Sequence, residues 1–328
     1  MYLIFAQLLV SIVLLFIGTQ LLVNSSISLS KKLKINSIII GFTIMSLATS
    51  LPEFFVTLQS ALNGYYDFAI GNVIGSNISN ISFVLGAIAL VSPIFFNKNE
   101  IISNYIPLVI ISCFFVIVSV FFNELNIVFG LVSIILLLSL NVLIYIKSSK
   151  PVDQKMEDNE FMLLGKNLKI DNISLLFFIL FFGSIVLWLG SDMLIFSSKK
   201  IAHFANIDDR IISISIVALG TSLPELFASI YAAYKKETSL ALGNLLGSNI
   251  YNILAVLGIT SLFHSINISH ILHIDLKLML LITFMIFPIL YLRRILVNNL
   301  CDQTMYIHRI EGVILISIYI YYIIFIVF

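Results

Sequence analysis

The chain contains the run Leu47-Ala48-Thr49-Ser50-Leu51-Pro52-Glu53, followed by Gly71-Asn72-Val73-Ile74-Gly75-Ser76-Asn77-Ile78-Ser79-Asn80. Both runs return 172 residues later, over 219–225 and 243–252. Aligning 41–86 with 213–258 needs no gap and gives 21 identities in 46 positions. Repetition at this level indicates a duplicated segment. The shared residues are mainly polar or helix-breaking and lie among Ile, Leu, Val and Phe, which indicates a functional role.

The composition places the chain in a lipid bilayer. Hydrophobic residues make up 60% and charged residues 11% of it, whereas soluble domains are roughly half apolar and a quarter charged. The mean hydropathy is +1.09. The net charge of +1 gives no basic face for nucleic acid. Two cysteines, Cys113 in an apolar run and Cys301 in a polar connection, predict neither a disulfide nor a metal cluster.

Apolar runs of about 20 residues, each long enough to cross a bilayer, predict an all-α membrane protein with ten transmembrane helices. The first run starts at Tyr2 without a basic leader, so we expect it to be retained as a span. We expect the spans at roughly 2–29, 36–62, 68–93, 102–122, 125–146, 173–198, 209–234, 239–263, 275–292 and 310–327.

A polar connection over 147–172 divides these spans into two halves. The first five-helix repeat is expected over 1–146 and the second over 173–328. Because each repeat has an odd number of spans, the second copy enters the membrane from the opposite side. We therefore predict two inverted-topology repeats related by a pseudo-two-fold axis in the membrane plane.

The basic residues predict the orientation. With the amino terminus outside, 14 of the 18 Lys and Arg residues fall in inner loops. The remaining four are Lys199, Lys200, Arg210 and Lys277. The positive-inside rule then puts both termini outside and the 147–172 connection in the cytoplasm, in a plasma (inner) membrane.

The first repeated run combines a helix break with an acid. Proline has no backbone N–H and clashes with the carbonyl four residues back, so both spans should break, near Thr49 and near Thr221. The break frees carbonyl oxygens at 46–49 and 218–221, which are natural cation ligands at the negative end of a half-helix. Irregular backbone at this depth is tolerated only where it lines a cavity.

The side chains around the break supply further oxygen atoms. Glu53 lies four residues after Thr49 and three after Ser50, so its carboxylate shares one helical face with both hydroxyls. The second copy repeats the pattern with Glu225, Thr221 and Ser222.

The second repeated run adds hydroxyl and carboxamide groups. Ser76 and Asn80 are four residues apart, as are Ser248 and Asn252. Carboxylates, carboxamides, hydroxyls and carbonyls without His or Cys suit a hard cation such as Ca²⁺ or Na⁺ and disfavour zinc or copper. Two carboxylates neutralise one divalent ion, and a buried charge without such a partner is expensive.

Structural explanations account less well for the acids than for the other residues. The two Gly-x-x-x-Gly pairs fit a helix-packing face equally well, and a lone Ser or Thr often bonds to its own helix. An ion pair at Glu53 and Glu225 is disfavoured because no Lys or Arg lies at comparable depth in the same spans. Asp192 stands where the first copy has Gln20, so we expect a structural or rim role for it.

Two copies of Gly/Ala-Thr-Ser-Leu-Pro-Glu, each followed by Gly-Asn-x-x-Gly-Ser-Asn-Ile, resemble the paired alpha-repeats of the sodium/calcium exchanger family, within the calcium/cation antiporter superfamily. The resemblance covers the whole chain as five plus five spans, although only four helices carry the motifs. It implies that Glu53 and Glu225 are central ligands for Ca²⁺ and Na⁺, with Asn80 and Asn252 completing the centre. It also implies that spans one and six slide against the rest to give alternating access.

The same resemblance implies roles for the smaller residues. Thr49 and Thr221 would contribute backbone carbonyls. Flanking Na⁺ sites would be lined by four serines, Ser50, Ser222, Ser76 and Ser248. Ser46 and Ala48 stand where the second copy has Ala218 and Gly220, so the flanking sites, to which we also assign Ser46 and Ala218, are expected to be unequal.

The chain departs from the family pattern in two respects. Some members carry Asp at the position of Asn252, and this chain has Asn in both copies. Coupling stoichiometry and K⁺ dependence therefore stay open, while binding at the centre should survive on the shared carbonyl oxygen. The 147–172 connection is too short for large regulatory calcium-binding domains, which indicates a minimal, prokaryotic-type transporter core.

The sequence therefore predicts a secondary antiporter, and not an enzyme, that exchanges Ca²⁺ for Na⁺ by alternating access. The expected partners are these two ions and the bilayer, with no cofactor and no nucleic acid, and the oligomeric state is not predicted. One alternative keeps the fold and exchanges Ca²⁺ for H⁺, with protonation of Glu53 and Glu225 replacing Na⁺ binding. Another is an intramembrane enzyme using both acids as acid and base, which is disfavoured because no nucleophile–base pair or metal-binding His cluster accompanies them.

Overall fold

The computed structural model describes residues 2–96, 101–147, 160–163, 166–170, 172–204, 218–296 and 305–327, and most of them are helical. Seven helices in these ranges are long and apolar enough to cross a membrane, or eight if the bent pair Ser37–Thr49 and Leu51–Leu62 forms one span. The chain is thus an integral membrane protein. Of the span predicted at 209–234, the described part begins at residue 218.

The first half contains α1 (Tyr2–Leu33), α2 (Ser37–Ile40), α3 (Ser46–Thr49), α4 (Leu51–Leu62), α5 (Tyr66–Ser79), α6 (Leu85–Val91), α7 (Ile106–Phe122) and α8 (Ile127–Lys147). The second half contains α9 (Ile173–Phe204), α10 (Ala218–Thr221), α11 (Leu223–Tyr234), α12 (Thr238–Tyr251), α13 (Gly258–Phe263), α14 (Leu272–Leu296) and α15 (Arg309–Val327). Four π-helical turns join some of these helices, at Gly41–Met45, Asn80–Val84, Ile101–Tyr105 and Asn252–Leu257.

Both spans that contain the Ser-Leu-Pro-Glu run are broken at its serine. Ser50 has φ −85° and ψ 4°, and Ser222 has φ −86° and ψ 4°, so neither continues the helix. In the first copy the axis bends by 43° there. Each proline follows at the second position of the next helix, where its missing N–H interrupts no intrahelical bond. The predicted breaks are confirmed.

Two carbonyl groups at these breaks already accept hydrogen bonds. Ser46 O accepts from the Ser50 N–H at 3.0 Å, and Gly220 O accepts from Ser191 Oγ at 2.7 Å. The expectation that all carbonyls of 46–49 and 218–221 are freed is therefore wrong at these positions. The turn at Ser50 keeps one bond of helical spacing, and the neighbouring helix α9 supplies a hydroxyl at Gly220.

The π-helical turns at Asn80–Val84 and Asn252–Leu257 begin at matching asparagines of the two copies. A π turn inserts one extra residue into the helical turn, and such turns are frequent at functional sites. No local residue type demands this geometry, so the sequence did not predict it.

Helices α1 and α9 pack against each other through reciprocal close contacts. A Cβ atom on Gly18 would lie 2.5 Å from the Leu187 nitrogen, and one on Gly190 would lie 2.8 Å from the Leu15 nitrogen. Gly18 and Gly190 are 172 positions apart, and so are Leu15 and Leu187. The same contact thus occurs twice with the roles of the copies exchanged, and only glycine permits so close an approach of the backbones.

The two halves also cross at the ends of their helices. Strand β1 (Ile94–Phe96) pairs antiparallel with β6 (Met305–Ile307), and β2 (Glu124–Leu125) pairs with β5 (Ile266–Asn267). Helix α6 meets α15 where Gly86 faces Gly312, and α13 meets α8 where Gly258 faces Gly130. Each half therefore contributes packing surface to the other.

A short hairpin lies within the polar connection between the halves. Its strands are β3 (Glu160–Leu163) and β4 (Lys166–Lys169), and they pair antiparallel. Phe161 is 2% exposed, and β3 contacts α1. The connection was predicted only as a polar segment, and its residues 148–159 lie outside the described ranges.

Candidate cation site

Both motif glutamates lie in the first turn of the helix that follows a break. Glu53 belongs to α4 and Glu225 to α11, and each is 0% exposed. The amino-terminal end of a helix carries partial positive charge, which stabilises a carboxylate there. The two acids are also close enough for their charges to interact. The fold thus brings one acid from each copy into one buried region.

Ser50 does not cap its own helix. The Ser-x-x-Glu pattern can form a local capping box, but Ser50 makes no side-chain cap and its Oγ donates to Glu225 Oε1 of the other copy at 3.5 Å. The matching residue, Ser222, makes no cap either. The first break is therefore linked directly to the acid of the second copy.

The threonines at the breaks meet the serines of the second repeated run across the two copies. Thr49 Oγ1 lies 3.2 Å from Ser248 Oγ, and Ser76 Oγ lies 3.4 Å from Thr221 Oγ1. These two contacts join residues at matching positions, 172 apart. Each broken span thus faces the polar run of the opposite copy.

The two predicted asparagines occupy equivalent positions but have different partners. Asn252 Nδ2 donates to Asn77 Oδ1 at 3.2 Å, and Asn77 Nδ2 donates to the Asn249 carbonyl at 3.3 Å. Neither side-chain polar atom of Asn80 has a hydrogen-bond partner among the described residues. Both asparagines are 0% exposed.

Several buried oxygen atoms in this region accept no hydrogen bond from the described part of the chain. They are Glu53 Oε1 and Oε2, Glu225 Oε2, Asn80 Oδ1 and Asn252 Oδ1, and Ser222 Oγ is likewise without a partner. Ser76 lies near the Glu53 carboxylate, and Thr49 and Ser248 lie near that of Glu225, without meeting strict hydrogen-bond geometry. A buried polar group without a partner destabilises the fold by about 1–3 kcal/mol.

This donor set fits a hard cation. Its atoms are carboxylate, amide and hydroxyl oxygens, which Ca²⁺ and Na⁺ prefer. Within the ranges that the structure describes, no group of three or more His, Cys, Asp or Glu side chains could hold a metal ion. The arrangement therefore offers two carboxylates with neutral oxygens around them, and it offers no nitrogen–sulfur site for a transition metal.

Two further predicted residues stand apart from this cluster. The Ser46 hydroxyl donates to the carbonyls of Phe42 and, at 3.3 Å, Thr43 in its own span. Ala218 is the first described residue of α10, and the structure describes its backbone only. Asp192 is exposed on α9, away from the buried acids, as expected for a residue outside the site.

Two asparagines with structural contacts at the site were quoted in the repeated run but given no role. Asn72 Nδ2 donates to Thr57 Oγ1 at 3.1 Å, and Asn244 Nδ2 donates to Ser229 Oγ at 3.0 Å. Asn244 Oδ1 also accepts from Thr49 Oγ1 at 3.2 Å. Their identity in both copies was the available signal, since each ties the second repeated run to its own broken span.

The glycines of the second copy are used for packing. A Cβ atom on Gly247 would lie 2.5 Å from the Phe42 carbonyl oxygen, and one on Gly243 would clash with the carbonyl of Ile38. These glycines let α12 lie directly on the span that leads to the first break. By the same offset Gly71 and Gly75 would face 210 and 214, which lie outside the described residues.

Comparisons with known proteins agree with this architecture. The family model described as "Sodium/calcium exchanger protein" matches residues 3–146 and 175–328. The putative antiporter CaxA of Alkalimonas amylolytica is 33% identical over 76% of this chain and 78% of its own length. The sodium/calcium exchanger MaX1 of Methanosarcina acetivorans is 28% identical over 96% of both chains.

A solved structure of the sodium-calcium exchanger NCX_Mj, soaked with zero Na⁺ and Ca²⁺, superposes with a TM-score of 0.81 and 25% identity, covering 99% of each chain. Together with the buried acids and broken helices, these matches exclude an enzyme of the intramembrane acid–base class. The chain belongs to the sodium/calcium exchanger protein family and is an antiporter of cations.

Proposed function

We propose that the protein exchanges Ca²⁺ for Na⁺ and that the ions bind between Glu53 and Glu225. One observation carries the proposal. Two fully buried carboxylates, one from each copy, face one region, and three of their four oxygens accept no hydrogen bond among the described residues. A divalent cation between them compensates both charges, whereas the uncompensated pair is expensive in a membrane interior.

The neighbouring oxygens divide between the centre and its flanks. In this proposal Asn80 and Asn252 complete the centre through their carbonyl oxygens, and Thr49 and Thr221 contribute backbone carbonyls. Flanking Na⁺ sites are lined by Ser50, Ser222, Ser76 and Ser248, with Ser46 and Ala218 at their ends. The contacts between Thr49 and Ser248 and between Ser76 and Thr221 support it, because each pair spans the two copies.

We further propose ten spans in two inverted five-helix repeats, 1–146 and 173–328, joined by a cytoplasmic connection over 147–172. The reciprocal contacts of Gly18 with Leu187 and of Gly190 with Leu15 support this arrangement. Such exchanged contacts are what a pseudo-two-fold axis between the copies produces. Both termini then lie outside a plasma (inner) membrane, as the 14-to-4 division of basic residues indicates.

Alternating access follows from the same arrangement. Helices α1 and α9 are the first span of each copy and pack on each other through glycine. In the proposed cycle they slide as a pair against the rest and expose the ions to one face at a time. Side chains at the breaks stay with the remaining helices, so the ion site itself is preserved during the movement.

The test is ⁴⁵Ca²⁺ uptake into proteoliposomes that contain the purified protein. An outward Na⁺ gradient at fixed pH should drive uptake, and a pH gradient without Na⁺ should not. Uptake driven by the pH gradient alone would replace the Na⁺ proposal with Ca²⁺/H⁺ exchange at the same site. Absence of uptake under both gradients would contradict Ca²⁺ transport altogether.

A further inference from the structure

A group of polar side chains beside the proposed ion site belongs to neither of its symmetric motifs. Ser79 precedes Asn80, and Tyr319 projects from α15 toward the π-helical turn, where its ring lies 5.4 Å from that of Phe83. Ser79 is 0% and Tyr319 3% exposed. The two hydroxyls lie near each other, yet neither has a hydrogen-bond partner in strict geometry among the described residues.

The same polar atoms continue toward one membrane face. The Tyr319 ring lies 6.4 Å from the ring of Tyr322, one turn further along α15. Tyr322 interacts electrostatically with Asp275, a partly buried acid in the first turn of α14. A row of polar groups thus leads from the start of α14 through the bundle to Asn80.

The second copy closes the corresponding position. Tyr251 occupies the place of Ser79, 172 residues later, and its hydroxyl donates to Asn141 Oδ1 at 3.3 Å. A large ring with a satisfied hydroxyl fills the space there. In the first copy the small Ser79 leaves both its own hydroxyl and that of Tyr319 without such a partner.

Buried polar groups without protein partners are bridged by ordered water where the space is polar enough. We infer that Ser79, Asn80 and Tyr319 form a water-binding side pocket of the ion site, connected past Tyr322 to the membrane face at Asp275. Its ligand class is water, because the inner groups are neutral and no acid stands among them. An ion that binds or leaves must exchange water for protein oxygens, and this pocket supplies that water on the Asn80 side alone.

The test is thiol accessibility of the purified protein in lipid nanodiscs, where a water-soluble methanethiosulfonate reaches both faces. In a background with Cys113 and Cys301 replaced by Ala, Ser79→Cys is compared with Ser82→Cys. Ser82 is 0% exposed and its hydroxyl donates to the Ile78 carbonyl, so it is a matched buried control. Ser79→Cys should react about tenfold faster or more, a difference of about 1.4 kcal/mol in activation free energy.

The route to the pocket is tested in the same assay. Asp275→Leu should slow the labelling of Ser79→Cys severalfold, whereas Asp192→Leu, at an exposed acid on α9, should leave it unchanged. Equal rates at positions 79 and 82, whether both fast or both slow, would overturn the pocket. If Ser79→Cys does not fold, Tyr319→Cys against the buried Leu315→Cys gives the same comparison.

The inference rests on the proposed ion site only for what the water serves. Labelling needs a folded protein and no transport, so a failure of the pocket and a failure of Ca²⁺ exchange give separate results. Fast labelling in a protein without Ca²⁺ flux would keep the pocket and remove the proposed function. Normal flux with equal labelling rates would do the reverse.

Discussion

The halves of the molecule around Glu53 and Glu225 have nearly the same sequence and different hydrogen bonds. Glu225 accepts from Ser50 at 3.5 Å, whereas both oxygens of Glu53 and the hydroxyl of Ser222 have no partner among the described residues. Asn252 donates to Asn77, and Asn80 has no equivalent bond. Duplication has therefore preserved which groups are present without preserving how each is held. The Glu53 half depends more on the ion for its electrostatic compensation.

The largest expected effect comes from removing either acid. Glu53→Gln and Glu225→Gln should each reduce Na⁺-driven ⁴⁵Ca²⁺ uptake by about 100-fold or more, because the loss of one partner of a buried ion pair costs about 3–5 kcal/mol and each 1.4 kcal/mol is a factor of ten. The thermal unfolding temperature should not fall, since a buried amide costs less than a buried carboxylate without its ion.

The exposed acid Asp192 provides the control for this pair, and Asp192→Asn should keep normal uptake. Normal uptake in either glutamine variant would show that the ions bind elsewhere. A loss in only one variant would mean that one half alone carries the site.

The comparison also predicts opposite exposure of two matching loops. The turn at Gly64 has φ 79° and that at Lys236 has φ 63°, so the hairpins α4–α5 and α11–α12 share one backbone turn. In a chain without other cysteines, Tyr65→Cys should be labelled by an impermeant reagent only from outside, and Lys236→Cys only from the cytoplasm. Labelling of both from the same side would indicate a parallel repeat and remove the pseudo-two-fold axis.

A third acid should distinguish the halves in a graded way. Asn80→Asp and Asn252→Asp each add a carboxylate that titrates as a coupled set with the two glutamates, so Ca²⁺ exchange should become more dependent on pH. At mildly acidic pH the added acid is protonated and resembles the native amide, so activity should persist. Once ionised, it adds negative charge that strengthens cation binding and slows release.

The change should be larger for Asn252→Asp, because that variant also loses the bond to Asn77 and turns a carboxylate toward its oxygen. The measurement is Ca²⁺ exchange across pH for the wild type and both variants under one Na⁺ gradient. Three superimposable profiles would remove both asparagines from the ion site and leave them as packing residues.

The smallest predicted effect isolates the one bond that joins a break to the opposite acid. Ser50→Ala removes the donor to Glu225 and should weaken apparent Ca²⁺ affinity by about 3-fold to 10-fold, in line with about 1 kcal/mol for a single hydrogen bond. Ser222→Ala removes a hydroxyl without such a bond and should change affinity less than Ser50→Ala. Equal effects of the two substitutions would show that the halves behave alike when the ion is bound.

The sequence predicted the local features of the site well. Proline at 52 and 224 was sufficient to place the breaks, because the loss of a backbone donor is a local property. The burial of Glu53 and Glu225 followed from their place in apolar spans without a basic partner. The spacing of 172 residues also indicated that the two acids belong to equivalent positions.

Contacts between the copies could not be predicted in the same way. That Ser50 serves Glu225 instead of capping its own helix depends on how two distant segments pack. The π-helical turns at Asn80 and Asn252 and the strand pairs between the halves have the same origin. The occupied carbonyls of Ser46 and Gly220 likewise depend on a turn and on a neighbouring helix, and local sequence specifies neither.

The central claim is that one acid from each half binds the same Ca²⁺. Equilibrium ⁴⁵Ca²⁺ binding to the purified protein without Na⁺ tests it most directly. The account predicts one Ca²⁺ per chain in the wild type, displaced by added Na⁺, and loss of that binding in Glu53→Gln and in Glu225→Gln alike. Wild-type affinity in either variant, or two independent Ca²⁺ ions per chain of which each variant loses one, would contradict a shared site.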